Sequence, residues 1–74
     1  MRVYPNPVAA VLTVAAGQEI ANVTVFNLLG QKVLDRKTTG TEVEVNVESL
    51  VAGTYLLQIT SATGSRATSR IVKQ

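Results

Sequence analysis

The chain contains no cysteine and no histidine. The first absence excludes a disulfide framework and any thiolate metal site. The second removes the commonest general base and the commonest nitrogen ligand. Tryptophan is also missing, and one phenylalanine and two tyrosines are the whole aromatic complement, so stacking platforms for nucleic acid are almost lacking. Charge is sparse too: seven basic and five acidic residues leave a net +2, too weak a field to recruit nucleic acid or a membrane by itself. No stretch approaches the ~20 apolar residues of a transmembrane helix. Met1-Arg2 runs directly into Val3-Tyr4-Pro5-Asn6-Pro7 without the apolar core of a signal peptide.

What the chain does have is hydrophobic residues, 46% of its 74 positions, enough to set intrinsic disorder aside. The length fits one domain of marginal stability, or one that borrows stability from a partner or a second copy. Met1 reads as an initiator set on an excised fragment, so residues 1–74 are expected to be one domain cut from a longer protein.

The periodicity is that of strands. In Glu42-Val43-Glu44-Val45-Asn46-Val47-Glu48 polar and apolar residues alternate without a break, which places Val43, Val45 and Val47 on one face and the carboxylates on the other. A helix would scatter these β-branched residues around its circumference. Thr54–Ser61 alternates in the same way and puts Tyr55, Leu57 and Ile59 inward. Further strands are predicted at Val11–Ala15, Ile20–Phe26, Gln31–Thr38 (Val33 inward) and Arg66–Lys73, with Asn27-Leu28-Leu29-Gly30 closing a hairpin through Gly30. Leu50 is expected to plug the core from the connection between Glu48 and Gly53. Pro5 and Pro7 fix their own φ and hold their predecessors extended. Val3–Pro7 should therefore be a rigid lead-in or edge strand, with Asn6 bonding nearby backbone. Strands of this length with a turn about every ten residues make an antiparallel sandwich or barrel, and no apolar stripe has helical spacing.

Catalytic constellations are missing. Glu42 and Glu44 lie roughly 7 Å apart on one strand face, but they alternate with valines on a surface that must meet water, and a solvated face explains them. Ser49, Ser61, Ser65 and Ser69 have no histidine to activate them, which leaves only a Ser–Lys pair in principle, the glycines form no phosphate-binding pattern, and only exposed carboxylates remain for weak calcium binding. Neither an enzyme nor a cofactor is expected. The charges do separate along the chain: Glu42, Glu44 and Glu48 sit mid-chain while Arg66, Arg70 and Lys73 fall in the last nine residues.

Three segments and the chain end together resemble the type A C-terminal sorting domain of type IX secretion cargo. Val3-Tyr4-Pro5-Asn6-Pro7, followed by Leu12-Thr13-Val14, is similar to that family's opening. Val23-Thr24-Val25-Phe26-Asn27-Leu28-Leu29-Gly30-Gln31-Lys32-Val33 resembles its strand–turn–strand, with Phe26-Asn27 in place of the usual Tyr-Asp. Leu50-Val51-Ala52-Gly53-Thr54-Tyr55 resembles its Leu-x-x-Gly-x-Tyr strand opening, and Arg70-Ile71-Val72-Lys73 its basic, β-branched end.

The resemblance implies an all-β, immunoglobulin-like antiparallel sandwich of about seven short strands. It also implies a non-catalytic C-terminal signal that takes its upstream cargo through the type IX outer-membrane translocon. Such cargo crosses the periplasm to the cell surface, where a sortase-like protease removes the domain in many members. Arg70, Ile71, Val72, Lys73 and Gln74 are the candidate recognition surface. Tyr4, Pro5, Asn6, Pro7, Gly30 and Gly53 are expected to shape the backbone, and Tyr55 to anchor the core with its hydroxyl at the rim. A retained adhesion or carbohydrate-binding module is the alternative, opposed by the lack of aromatic pairs. Edge strands in so small a domain also make a homodimer an expectation.

Overall fold

The computed structural model describes all 74 residues as seven strands and no helix: β1 (Arg2–Tyr4), β2 (Val11–Ala15), β3 (Ile20–Phe26), β4 (Lys32–Lys37), β5 (Glu42–Asn46), β6 (Gly53–Ser61) and β7 (Arg66–Lys73). They form two antiparallel sheets, ordered β1-β2-β5 and β4-β3-β6-β7. The chain changes sheet after β2, after β4 and after β5, which is the Greek-key wiring of an immunoglobulin-like sandwich.

Alternation explains the layers. Val43 and Val45 of β5 pair with Val14 and Leu12 of β2 and point at the same interior as Val23 and Val25 of β3, Tyr55, Leu57 and Ile59 of β6, and Ile71 of β7, all of them buried. Val47, just past the end of β5, continues the pattern and is fully buried, while Leu50 packs against the core from the edge. The outward partners, Glu42 and Glu44, are exposed. No buried side-chain nitrogen or oxygen lacks a hydrogen-bond partner, as a core this small requires.

One inward residue was misassigned by alternation. Val33 is 39% exposed, and its neighbour Leu34, at 7%, fills the core position. The cause is a register shift at the end of β3: Leu34 faces Val25, but Lys32 faces Phe26, so β4 carries one extra residue. A bulge of this kind reverses the parity of the positions beyond it.

The turn next to the bulge is strongly tied. The Asn27 side-chain oxygen accepts from the backbone N–H groups of Leu29 (3.0 Å) and Gln31 (2.9 Å), and its amide donates to Gln31 Oε1 at 2.8 Å. Gly30 closes the turn at φ +84°, a left-handed conformation that disfavours a side chain.

Candidate functional site

The last strand lies at the edge of its sheet, where exposed N–H and C=O groups invite unwanted pairing. Here the opening segment covers them. The Asn6 amide donates to the Arg70 carbonyl at 3.2 Å, and the Val72 N–H donates to Asn6 Oδ1 at 3.0 Å. Immediately beyond, the Val8 N–H donates to the Val72 carbonyl at 2.8 Å and the Gln74 N–H to the Val8 carbonyl at 2.9 Å. Val8 thereby forms a parallel bridge with Lys73 and is fully buried.

The residue types account for this clip. A carboxamide presents one acceptor and a pair of donors, so it can reproduce the pairing of a peptide unit. Pro5 and Pro7 have no N–H to offer a ladder, so between them the Asn6 side chain does the work of backbone. Both Xaa-Pro bonds, Tyr4–Pro5 and Asn6–Pro7, are cis. Asn6 was expected to bond nearby backbone, but its partners are 64 and 66 residues away. Val8 was not foreseen as part of the site; its only signal was being the first β-branched residue after Pro7.

The candidate recognition residues divide by face. Ile71 is fully buried against the core, and Lys73 is buried too, its Nζ donating to the Gln74 carbonyl at 2.9 Å. Arg70, Val72 and Gln74 point outward and are exposed. Of the remaining motif residues, Tyr4 is exposed on β1, its hydroxyl donating to Glu42 Oε2 at 3.3 Å and its ring 5.6 Å from the Arg2 guanidinium. Tyr55, near the start of β6, donates its hydroxyl to the Val51 carbonyl, the tyrosine corner of immunoglobulin-type sandwiches. Gly53, opposite Lys73, takes φ +153°. The opening motif, the Gly-x-Tyr corner and the chain end thus gather at one pole of a molecule 31 Å long.

Asp35 accepts from the Asn22 amide at 2.8 Å and from the Thr24 hydroxyl at 3.2 Å. Its pKa is held below the usual aspartate value chiefly by the Asn22 amide, against partial desolvation, with help from Thr24 and the Lys32 ammonium at 3.4 Å. It lies on the exposed edge strand β4. An open cleft of about 420 Å³ at the opposite pole is lined by Met1, Gly17, Ile59, Ser61, Ser65 and Arg66 and contains no acid–base pair. No three potential metal-ligating side chains come together.

A family model described as the secretion system C-terminal sorting domain matches residues 2–74. The chain belongs to that family. Its role is that of a C-terminal sorting signal for type IX secretion, whose partners are an attached upstream cargo and the type IX machinery, and whose destination is the cell surface or the medium. No curated protein matches this sorting domain. The alternative of a retained carbohydrate-binding or adhesion module finds no support: Tyr4 is the only exposed aromatic side chain, since Tyr55 is buried and Phe26 half-buried.

The clip predicts its own disruption. Asn6→Ala removes both side-chain bonds to β7 and should lower stability by about 1–2 kcal/mol. Amide exchange at Val72 should accelerate markedly, while exchange at Leu57, in the middle of the sheet, should change only with global stability. Unchanged protection at Val72 would show that Asn6 does not hold the strand.

Proposed function

We propose that residues 1–74 are the last domain of a longer exported protein, and that they act without catalysis, as an address borne on a folded sandwich. The cargo reaches the periplasm by a separate first signal, and the translocon then reads the pole where the chain ends. Within the stretch Arg70 to Gln74, two duties divide between faces. Ile71 and Lys73 hold the strand to the core, and Arg70, Val72 and Gln74 are presented to the reader. A sortase-like surface protease then removes the domain from the cargo. Any pairing of two copies would use the β1 or β5 edge, because β4 carries Lys32, Arg36 and Lys37 and β7 is clipped by Asn6 and Val8.

The observation that supports this reading is the clip itself. The family's opening motif and its closing motif, at opposite ends of the sequence, are hydrogen-bonded to each other, so the chain end is a presented strand and not a loose tail.

The test is a fusion. A folded reporter placed behind a signal peptide and ahead of these 74 residues should become protease-accessible on the surface of a host with the type IX machinery. In a strain lacking the translocon it should stay in the periplasm. Equal surface display in both strains would defeat the proposal.

A further inference from the structure

The outer face of the four-stranded sheet changes character along its length. Toward the pole where the chain begins it is polar: Asn22, Thr60 and Arg66 form one cross-strand row and Thr24, Gln58 and Thr68 the next. Toward the other pole the row is Phe26, Leu56 and Arg70, followed by Thr54 and Val72. Beyond it the β3–β4 turn exposes Leu28 at 66% and Leu29 at 85%. Val51, on the connection entering β6, is 79% exposed at the same pole. Three large apolar side chains this open on two connections at one pole of so small a domain are what a contact surface would present.

Two further features indicate what covers them. The leucines stand on a turn fixed by the Asn27 side chain, so little conformational freedom is lost when a partner closes on them. Their surroundings are basic, with Lys32 beside the turn and Arg70 in the apolar row, and Lys37 and Arg66 further along the face. Two carboxylates lie in this region: Asp35 is already engaged by Asn22, Thr24 and Lys32, and Glu48 stands exposed on the connection that carries Val51, which leaves the bases Lys32, Arg70, Lys37 and Arg66 in excess. A second copy meeting this pole through a twofold axis would bring the Lys32 and Arg70 of both copies into one interface, adding like charge to it.

Building on the sorting-signal reading, we propose that the Leu28-Leu29 tip docks into an apolar socket on a protein of the export machinery, and that carboxylates around this socket meet Arg70 and Lys32. The tip supplies the buried anchors, and the charges orient the approach.

The test uses the reporter fusion carrying Leu28→Asn and Leu29→Asn together. Both side chains are exposed, so the purified variant should melt within a few degrees of the parent, and surface display should fall by roughly tenfold or more, as loss of two interface anchors does. A second fusion, Arg70→Glu, should reduce display, with the parent's display restored in no case by raising expression alone. If the parent fusion reaches the surface and the folded leucine variant does so equally well, the docking proposal is overturned while the sorting role stands. If the parent itself fails to be displayed, the sorting role fails with it. Two other outcomes also overturn the proposal: leucine-dependent binding of the purified domain to phosphatidylglycerol vesicles with display unchanged, or leucine-dependent dimerisation in sedimentation with display unchanged.

Discussion

Deletion of Arg70–Gln74 is expected to abolish cooperative folding as well as export. The five residues carry Ile71, which is fully buried, together with every backbone group that Asn6 and Val8 engage. Loss of a large buried aliphatic side chain costs about 2–5 kcal/mol, and each lost hydrogen bond about 0.5–1.5 kcal/mol more. A domain of this length has a total stability of only about 4–11 kcal/mol. Circular dichroism should therefore show no cooperative melt for the truncated chain, and its failure in export would not by itself locate the address. Arg70→Gln combined with Val72→Thr separates the causes, because both side chains point outward and Ile71 and Lys73 remain in place. That variant should melt like the parent and lose most of its surface display. Full display from it would move the address away from the outward row of β7. Lys73 is a poor choice for the same purpose, since it is buried at the rim of the core and its replacement would perturb packing.

Leu57→Ala should be the most damaging single substitution tested by unfolding in urea. Leu57 is fully buried at the centre of β6, the strand flanked by β3 and β7, and faces Val25 on one side and Ser69 on the other. The expected loss is about 2–5 kcal/mol, enough to leave much of the population unfolded at the lower end of the range for this size. The neighbouring Leu56 points to the opposite face and is half-buried, so Leu56→Thr should cost about 1 kcal/mol or less. Comparable losses at the two positions would contradict the assigned facing of β6. The same pair bears on export: Leu57→Ala should reduce display only as far as it unfolds the domain, whereas Leu56 belongs to the apolar row of the proposed docking face.

How much of this was legible in advance depended on the range of the forces involved. The valines at 43, 45 and 47 and the Tyr55-Leu57-Ile59 series could be assigned inward because alternation is a property of the local backbone, independent of what the strand pairs with. The Asn27–Gly30 turn was readable for a similar reason, since Gly30 tolerates the positive φ that closes it, while the Asn27 bonds to the Leu29 and Gln31 N–H groups emerged with the fold. Val33 was misread because the extra residue in β4 appears only when β3 is laid beside it; nothing in Gln31–Thr38 taken alone marks the bulge. Leu50 packs against the core as expected, whereas the turn assignment of Leu28 and Leu29 left open whether a neighbouring element covers them, which the strand arrangement decides.

The motif residues show the same division. Pattern and composition alone established an antiparallel all-β sandwich or barrel, with Val43, Val45, Val47, Tyr55, Leu57 and Ile59 in its interior, and the motif series carried the resemblance to a secretion sorting domain and, with it, the choice of the sandwich. Local backbone geometry and side-chain period act between near neighbours, so both can be read from a string. Three matters rested with the folded molecule: that Asn6 and Val8 clip Arg70–Gln74, that Ile71 and Lys73 turn inward while Arg70, Val72 and Gln74 turn outward, and that Leu28, Leu29 and Val51 share one pole. Each depends on which strands lie side by side and in what register, and those contacts join residues tens of positions apart, where a linear pattern carries no physical trace of them.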